Sequence, residues 1–294
     1  MRLITPLFAP GDQPRKIEKA LASEADAVIL DLEDAIAPGQ KEAARSQVAA
    51  SLPTLARPHR AARNLIVRVN PRGSAWYLAD LAAVVPGKPD GILLPKCEGP
   101  EDLEALDHHL EALEAAHGLP RGGIVVLALV TETAASVRRL ADYRSVPPRV
   151  RAFCFAAEDL SADLGIRPRD AQGNLAAPLQ AARSALLVTS AALGLAALDT
   201  PYPDPKDPAG LERELAAAVA DGFSGKILIH PAQIAPTRAA FTPSAEAIAW
   251  ARAVKEGFAA HPEAGTFALE GKMIDRPHLK LAERILAAAG EANA

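Results

Sequence analysis

The residues of this 294-residue chain that could do chemistry are acids and bases that close short apolar runs. AVIL is followed by Asp31, Glu33 and Asp34, LIV by Arg68 and Asn70, and GILLP by Lys96. Further along, IVVLALVT leads to Glu132, VRAFCFAA to Glu158 and Asp159, a run through Ala197 to Asp199, and KILI to His230. One such charge could simply be solvated in a loop, but a repeated pattern of this kind implies a shared mouth. Carboxylates without a histidine or cysteine cluster select a hard cation, magnesium or manganese, over zinc. Glu132 and Asp159 close neighbouring runs and can converge on one ion, since magnesium takes few protein carboxylates and leaves room for substrate oxygens. Arg68 and Lys96 add positive charge suited to an anionic substrate or a developing enolate. No GxSxG turn exists, so a serine hydrolase is not expected. His230 precedes a proline and reads first as a structural hydrogen-bonding group, second as a base. Asp31, Glu33 and Asp34 are left open between binding metal and shaping the site. Trp76 and Tyr77 read as helix packing before pocket lining.

Elements must hold these residues together. Eight apolar runs alternate with helix-like stretches, among them Pro14 to Ala22, Gln40 to Ser51, Pro100 to His117 and Gly210 to Ala220. Eightfold strand–helix alternation predicts an α/β fold of the (β/α)8 TIM-barrel type, with the active site at the carboxyl ends of the strands. A doubly wound open sheet would show a glycine-rich GxGxxG turn, which is absent. The composition agrees: 49% of residues are hydrophobic but only 4% aromatic, giving an aliphatic core of strands covered on both faces. A net charge of −4 points away from nucleic acid or a membrane surface as the main partner. With no apolar run of about 18 residues and no signal-peptide layout at the start, a cytoplasmic protein is expected. Cys97 and Cys154 have no metal-ligand spacing and read as buried free thiols. Residues 1–238 are expected to form the barrel. Residues 239–294 are expected to be a helical extension, with stretches Ala245 to Ala260 and Leu279 to Ala289 around a glycine-containing loop, TFALEGKMIDRPH, that could serve as a lid or a subunit contact.

Seven ordered segments carry a resemblance over nearly the whole chain: LFAPGDQPRKIEKAL, AVILDLEDAIAPGQKEAAR, RVNP, LLPKCE, FAAEDLSADLG, KILIHPAQI and GKMIDRPH. Together they resemble the citrate lyase β-subunit family, within the HpcH/HpaI aldolase/citrate lyase superfamily that also holds malyl-CoA and citramalyl-CoA lyases. The resemblance implies that Glu132 and Asp159 are magnesium ligands and that Arg68 is the substrate-binding, catalytic arginine. It implies that Asp275 is an acid–base group on a carboxyl-terminal segment that in relatives reaches a neighbouring subunit, commonly in a trimer. Arg15 and Lys16 fall where relatives contact coenzyme A, and Glu132 and Lys96 would also face the substrate. The implied activity is magnesium-dependent carbon–carbon cleavage of a 3-hydroxyacyl thioester (citryl-, malyl- or citramalyl-type), or the reverse condensation, with manganese as a substitute ion. Two alternatives stay open: a β-subunit acting on an acyl-carrier-protein thioester, and an aldolase of free 2-oxo acids. Thr131, where relatives often have an aliphatic residue, and Gln13, where an arginine is common, depart from the pattern. The second weakens the case for a phosphate contact.

Overall fold

The computed structural model describes residues 1–59 and 63–291. The chain forms two compact units, Met1–Thr237 and Arg238–Ala294.

In the first unit eight strands pair in chain order: β1 (Pro6–Pro10), β2 (Ala27–Asp31), β3 (Asn64–Arg68), β4 (Gly91–Leu94), β5 (Val125–Leu129), β6 (Val150–Cys154), β7 (Ala196–Asp199) and β8 (Gly225–Lys226). Every ladder is parallel. The ring closes where β8 returns to β1: Lys226 N–H donates to Ile4 O (3.1 Å), Leu228 N–H to Pro6 O (2.8 Å) and Phe8 N–H to Leu228 O (2.9 Å). Gly225 permits this seam, because a Cβ there would lie 2.1 Å from Leu3 O. β8 is shorter than its apolar run suggests; past Lys226 the contact goes on through the Ile227 N–H to Asp199 O bond and the isolated Leu7–Leu228 bridge.

The strand residues alternate between two buried destinations. Ala27, Ile29, Ile66, Leu93, Leu127, Leu129, Ala152, Cys154, Leu198 and Ile227 point inward and fill the barrel. Their neighbours in sequence point outward, most of them buried beneath the helices and Arg151 exposed. Those helices are α1 (Pro14–Ala22), α2 (Lys41–His59), α3 (Tyr77–Val84), α4 (Pro100–Ala116), α5 (Ala134–Arg138), α6 (Ala157–Asp163), α7 (Ala177–Leu193) and α8 (Pro208–Asp221). Proline stands in the first turn of α1, α4, α7 and α8, where its missing N–H has no partner to lose. α9 (Ile234–Phe241) contains the boundary between the units.

In the second unit, α10 (Ala245–Ala260) and α11 (Arg276–Ala288) enclose a small core of Ala251, Val254, Phe258, Ile274, Ala282 and Leu286. The segment expected to be a loop is instead an antiparallel hairpin of β9 (Thr266–Leu269) and β10 (Lys272–Asp275). Its turn places Glu270 at φ 50° and Gly271 at φ 77°, the two left-handed positions that a tight two-residue hairpin turn requires. Cys97 and Cys154 are buried and free, as expected. No helix among the described residues is long and apolar enough to cross a membrane.

Candidate metal and substrate site

Asp31 and Arg68 are direct register partners at the ends of β2 and β3. Each continues its strand's inward-facing series, Ala27–Ile29–Asp31 and Ile66–Arg68, so both side chains enter the barrel mouth. They meet as a fork: Arg68 Nε to Asp31 Oδ1 and Nη2 to Oδ2, both 2.7 Å. Arg68 Nη1 lies 3.0 Å from Glu33 Oε2, and Phe8 of β1 lies against the guanidinium, 4.6 Å from ring centroid to Cζ. Two carboxylates and one ring face therefore fix the plane of the arginine, which is the geometry that distinguishes it from a lysine. Asp31 also accepts from the backbone N–H groups of Glu33 (2.9 Å) and Ala35 (3.2 Å), so it organises the turn that presents Glu33 and Asp34. Gly11 lets the β1 turn approach this strand end: its N–H donates to Asp31 O at 2.8 Å, and a Cβ would fall 2.7 Å from the same oxygen.

Lys96 follows β4 in the left-handed region, at φ 47°. A non-glycine residue there is strained by about 1–2 kcal/mol, and such strain concentrates at functional sites. The conformation aims two donors. The Lys96 backbone N–H donates to Glu132 Oε2, and its ammonium bridges Glu33 Oε1 and Asp34 Oδ1.

Glu132, just past β5, is 2% exposed. Its Oε2 has the Lys96 N–H, but its Oε1 is buried and has no hydrogen-bond partner. A carboxylate oxygen left without a partner in the interior needs an explanation. It has two acidic neighbours. Ligand oxygens of Asp34, Glu132 and Asp159 lie within 4.8 Å of one another. Burial, then the Asp159 charge, pushes the Glu132 carboxyl up to about 8. Burial, then the Asp34 charge, also raises Asp159. Around this point stand five carboxylates (Asp31, Glu33, Asp34, Glu132 and Asp159) and three cations (Lys41, Arg68 and Lys96). Three oxygen ligands, one with a free buried lone pair, and, among the described residues, no nitrogen or sulfur donor in the group fit magnesium or manganese.

Other expected site residues lie elsewhere. Asp199 is not at the mouth. It follows inward-facing Leu198 on β7, so it points outward, where Arg183 (3.0 Å) and Lys226 (3.0 Å) hold it. Burial opposes its ionisation, but these two cations hold its carboxyl below the usual carboxylate range. Glu158 is turned away from the acidic trio to Arg169, at 2.7 Å. His230 is exposed, and its Nδ1 accepts the Ala232 N–H (3.2 Å) to cap a short turn, a structural role. Tyr77 is buried against His109. Arg15 and Lys16 are exposed on the first turn of α1. In the second unit, Asp275 begins α11 with its Oδ1 2.5 Å from His278 Nδ1. The third acid, Asp34, was visible in the sequence only as part of the acidic triplet. Lys41 and Asn70 bind the surrounding turns.

The structure thus defines a parallel β/α barrel with a carboxylate-lined mouth and a pre-set arginine. The chain belongs to the HpcH/HpaI aldolase/citrate lyase family, whose model matches residues 5–231. It is similar to the citrate lyase subunit beta-like protein of Mycobacterium tuberculosis (strain ATCC 25618 / H37Rv), 39% identical over 287 residues, covering 97% of this chain and 95% of that protein. It is also similar to the mitochondrial citramalyl-CoA lyase of Rattus norvegicus, 33% identical, with 96% and 85% covered. Among solved structures, the CitE protein of Mycobacterium tuberculosis in complex with magnesium, acetoacetate and coenzyme A superposes with a TM-score of 0.76 at 35% identity, covering 98% of both chains.

Proposed function

We propose that this protein is a magnesium-dependent carbon–carbon lyase that cleaves a 3-hydroxyacyl-CoA thioester into a 2-oxo acid and an acyl thioester, or runs the reverse condensation. The observation that carries this reading is the trio Asp34, Glu132 and Asp159, with its unpartnered Glu132 oxygen, beside the fork-held Arg68. Glu132 and Asp159 would hold the ion, with Asp34 beside them. When bound, magnesium supplies Lewis-acid polarisation of the substrate's carboxylate and hydroxyl oxygens.

The chain's own residues supply the rest. Arg68 is locked in plane before substrate arrives, so its remaining N–H donors stabilise negative charge on the departing carbonyl fragment without reorganising. Lys96 balances the acids of the β2 turn and faces the substrate. As the 3-hydroxyl releases its proton to solvent water, a carbonyl forms at C3 and the C2–C3 bond breaks. Its electron pair moves into the thioester enolate, and a proton delivered to C2 completes the acyl product. Asp275 is the group assigned to that proton, on the lid segment carried by the helical extension of residues 239–294. Arg15 and Lys16 contact the coenzyme A moiety. The assembly is a cytoplasmic homotrimer.

Turnover of the purified protein against citryl-, malyl- and citramalyl-CoA, with and without magnesium, tests the reading. Magnesium-dependent release of a 2-oxo acid is expected from at least one thioester. Release of free coenzyme A with no oxo acid would replace the lyase by a hydrolase. Cleavage of free hydroxy acids alone would replace it by an aldolase, and activity only with a carrier-protein thioester by a lyase-complex subunit.

A further inference from the structure

Lys41, the first residue of α2, is 7% exposed, yet its ammonium meets no carboxylate within ion-pair distance among the described residues. Its three donors go to Leu32 O (3.0 Å), Glu33 O (2.6 Å) and Asn70 Oδ1 (2.8 Å), and the ammonium lies 5.4 Å from the Trp76 ring centroid. A lysine ammonium has three N–H groups, so all of them are used. Two hold the backbone of the turn that carries Glu33 and Asp34. The third holds the residue two places beyond Arg68.

The partner turn is held as firmly. Asn70 Nδ2 donates to Leu32 O (2.9 Å) and to Asp80 Oδ2 (2.6 Å), and the Asn70 backbone N–H donates to the same Asp80 oxygen (2.9 Å). Asp80 Oδ1 accepts Arg45 Nε at 2.7 Å. Lys41 and Arg45 stand four apart on α2, on one helix face, and grip the Asn70–Asp80 pair from two sides. Burial of the ammonium opposes its charge and lowers its pKa, although Glu33 and Asp31 nearby raise it. A buried cation solvated mainly by two carbonyls of one turn is a costly way to stabilise a helix start. It is an effective way to set where that turn's side chains point.

We propose that Lys41 is a positioning residue for the active site, which pins the Glu33–Asp34 turn to the Arg68–Asn70 turn. This rests on the lyase reading above and extends it to a residue that touches neither substrate nor metal. Partners that orient metal ligands typically contribute about 10–100-fold to affinity or activity. A methionine at position 41 keeps the apolar stem and removes all three bonds.

The test compares wild type, Lys41→Met and Lys41→Arg by Mn2+ titration in an electron paramagnetic resonance assay, and by kcat and KM for the thioester that wild type cleaves. Lys41→Met is expected to remain folded by circular dichroism, to bind Mn2+ about tenfold more weakly and to lose about 10–100-fold in kcat, with KM changed less. Lys41→Arg, which retains a cation and some donors, should recover part of both. If the methionine variant fails to fold, Asn70→Ala decides, because it removes the third acceptor and the tie to Leu32 O: wild-type Mn2+ affinity and kcat in that variant would overturn the proposal. A folded Lys41→Met with unchanged Mn2+ affinity and kcat would overturn it equally. A wild-type chain that neither binds Mn2+ nor cleaves any thioester would instead overturn the lyase reading beneath it.

Discussion

Replacing Glu132 by glutamine should make the metal-free protein more stable at neutral and alkaline pH while abolishing its metal site. The wild-type carboxyl is raised from 4.5 to about 8, by burial first and the Asp159 charge second. Below pH 4.5 the group is protonated in folded and unfolded chains alike, and its contribution to stability is fully present. As pH rises, the unfolded chain releases its proton first, while the folded chain keeps its own until about pH 8. In that window the folded state binds more protons, so stability falls by about 1.4 kcal/mol per pH unit, and above it the loss is complete. Between pH 5 and pH 8 the wild type should lose roughly 3–4 kcal/mol from this group, a large part of the stability of a typical domain.

Glutamine is the same size, can still accept the Lys96 N–H, and does not ionise. Its amide leaves a buried donor unsatisfied, costing about 1–3 kcal/mol at every pH. The quantity to follow is therefore the change in the wild-type-minus-variant difference with pH. Urea unfolding of both proteins in EDTA, at half-unit steps from pH 5 to 9, measures it. The variant should gain steadily on wild type up to about pH 8 and then run parallel. Adding Mn2+ should reverse the order, because an ion displaces the proton in wild type and finds no charge on the glutamine. A pH-independent difference, or a variant that falls behind as pH rises, would refute the premise that Glu132 sits uncompensated in a cluster built for a cation.

Three further outcomes are expected, two from the same geometry and one from the acid–base role proposed for Asp275. Arg68→Lys cannot form the two-point fork with Asp31 or lie flat on Phe8, and should lose about 10²–10³ in kcat/KM, with the fold retained; wild-type kinetics would remove Arg68 from the reaction. Lys96→Gly should be about 1 kcal/mol more stable than Lys96→Ala by denaturant midpoint, because glycine adopts φ 47° without strain, and equal midpoints would contradict the left-handed conformation. Asp275→Asn should bind the thioester with wild-type affinity by calorimetry yet fail to turn it over, whereas lost binding with normal turnover would remove its acid–base role.

Much of the barrel and its mouth is legible in the sequence because strand periodicity is a strict parity rule. Ala27–Ile29–Asp31 and Ile66–Arg68 keep the parity of the interior, so the acid and the arginine had to meet. The same rule corrects Asp199: Leu198 faces in, so Asp199 faces the helices, as does Lys226 before inward-facing Ile227. Reading strand ends as one class, without counting parity, put Asp199 at the mouth. The hairpin of the second unit was harder to see, because Glu-Gly is a weaker turn signal than Asn-Gly and its strands span only four residues each.

Lys41 escaped, and Asp34 stayed undecided among three neighbouring acids, for a different reason. Asp34 sits in a turn, where side-chain direction follows backbone hydrogen bonds and not a repeat, and Lys41 begins a helix whose first residues look solvent-facing in sequence. Both are placed by contacts across roughly thirty residues or more of chain: Lys41 to Asn70, Lys96 to Asp34. Such contacts depend on the register between β2, β3 and β4, which no single segment encodes. A site assembled from the turns of several strands keeps its geometry only if those turns are tied to one another, and a buried cation with three fixed acceptors is one of the few groups small enough to tie two of them without entering the site itself.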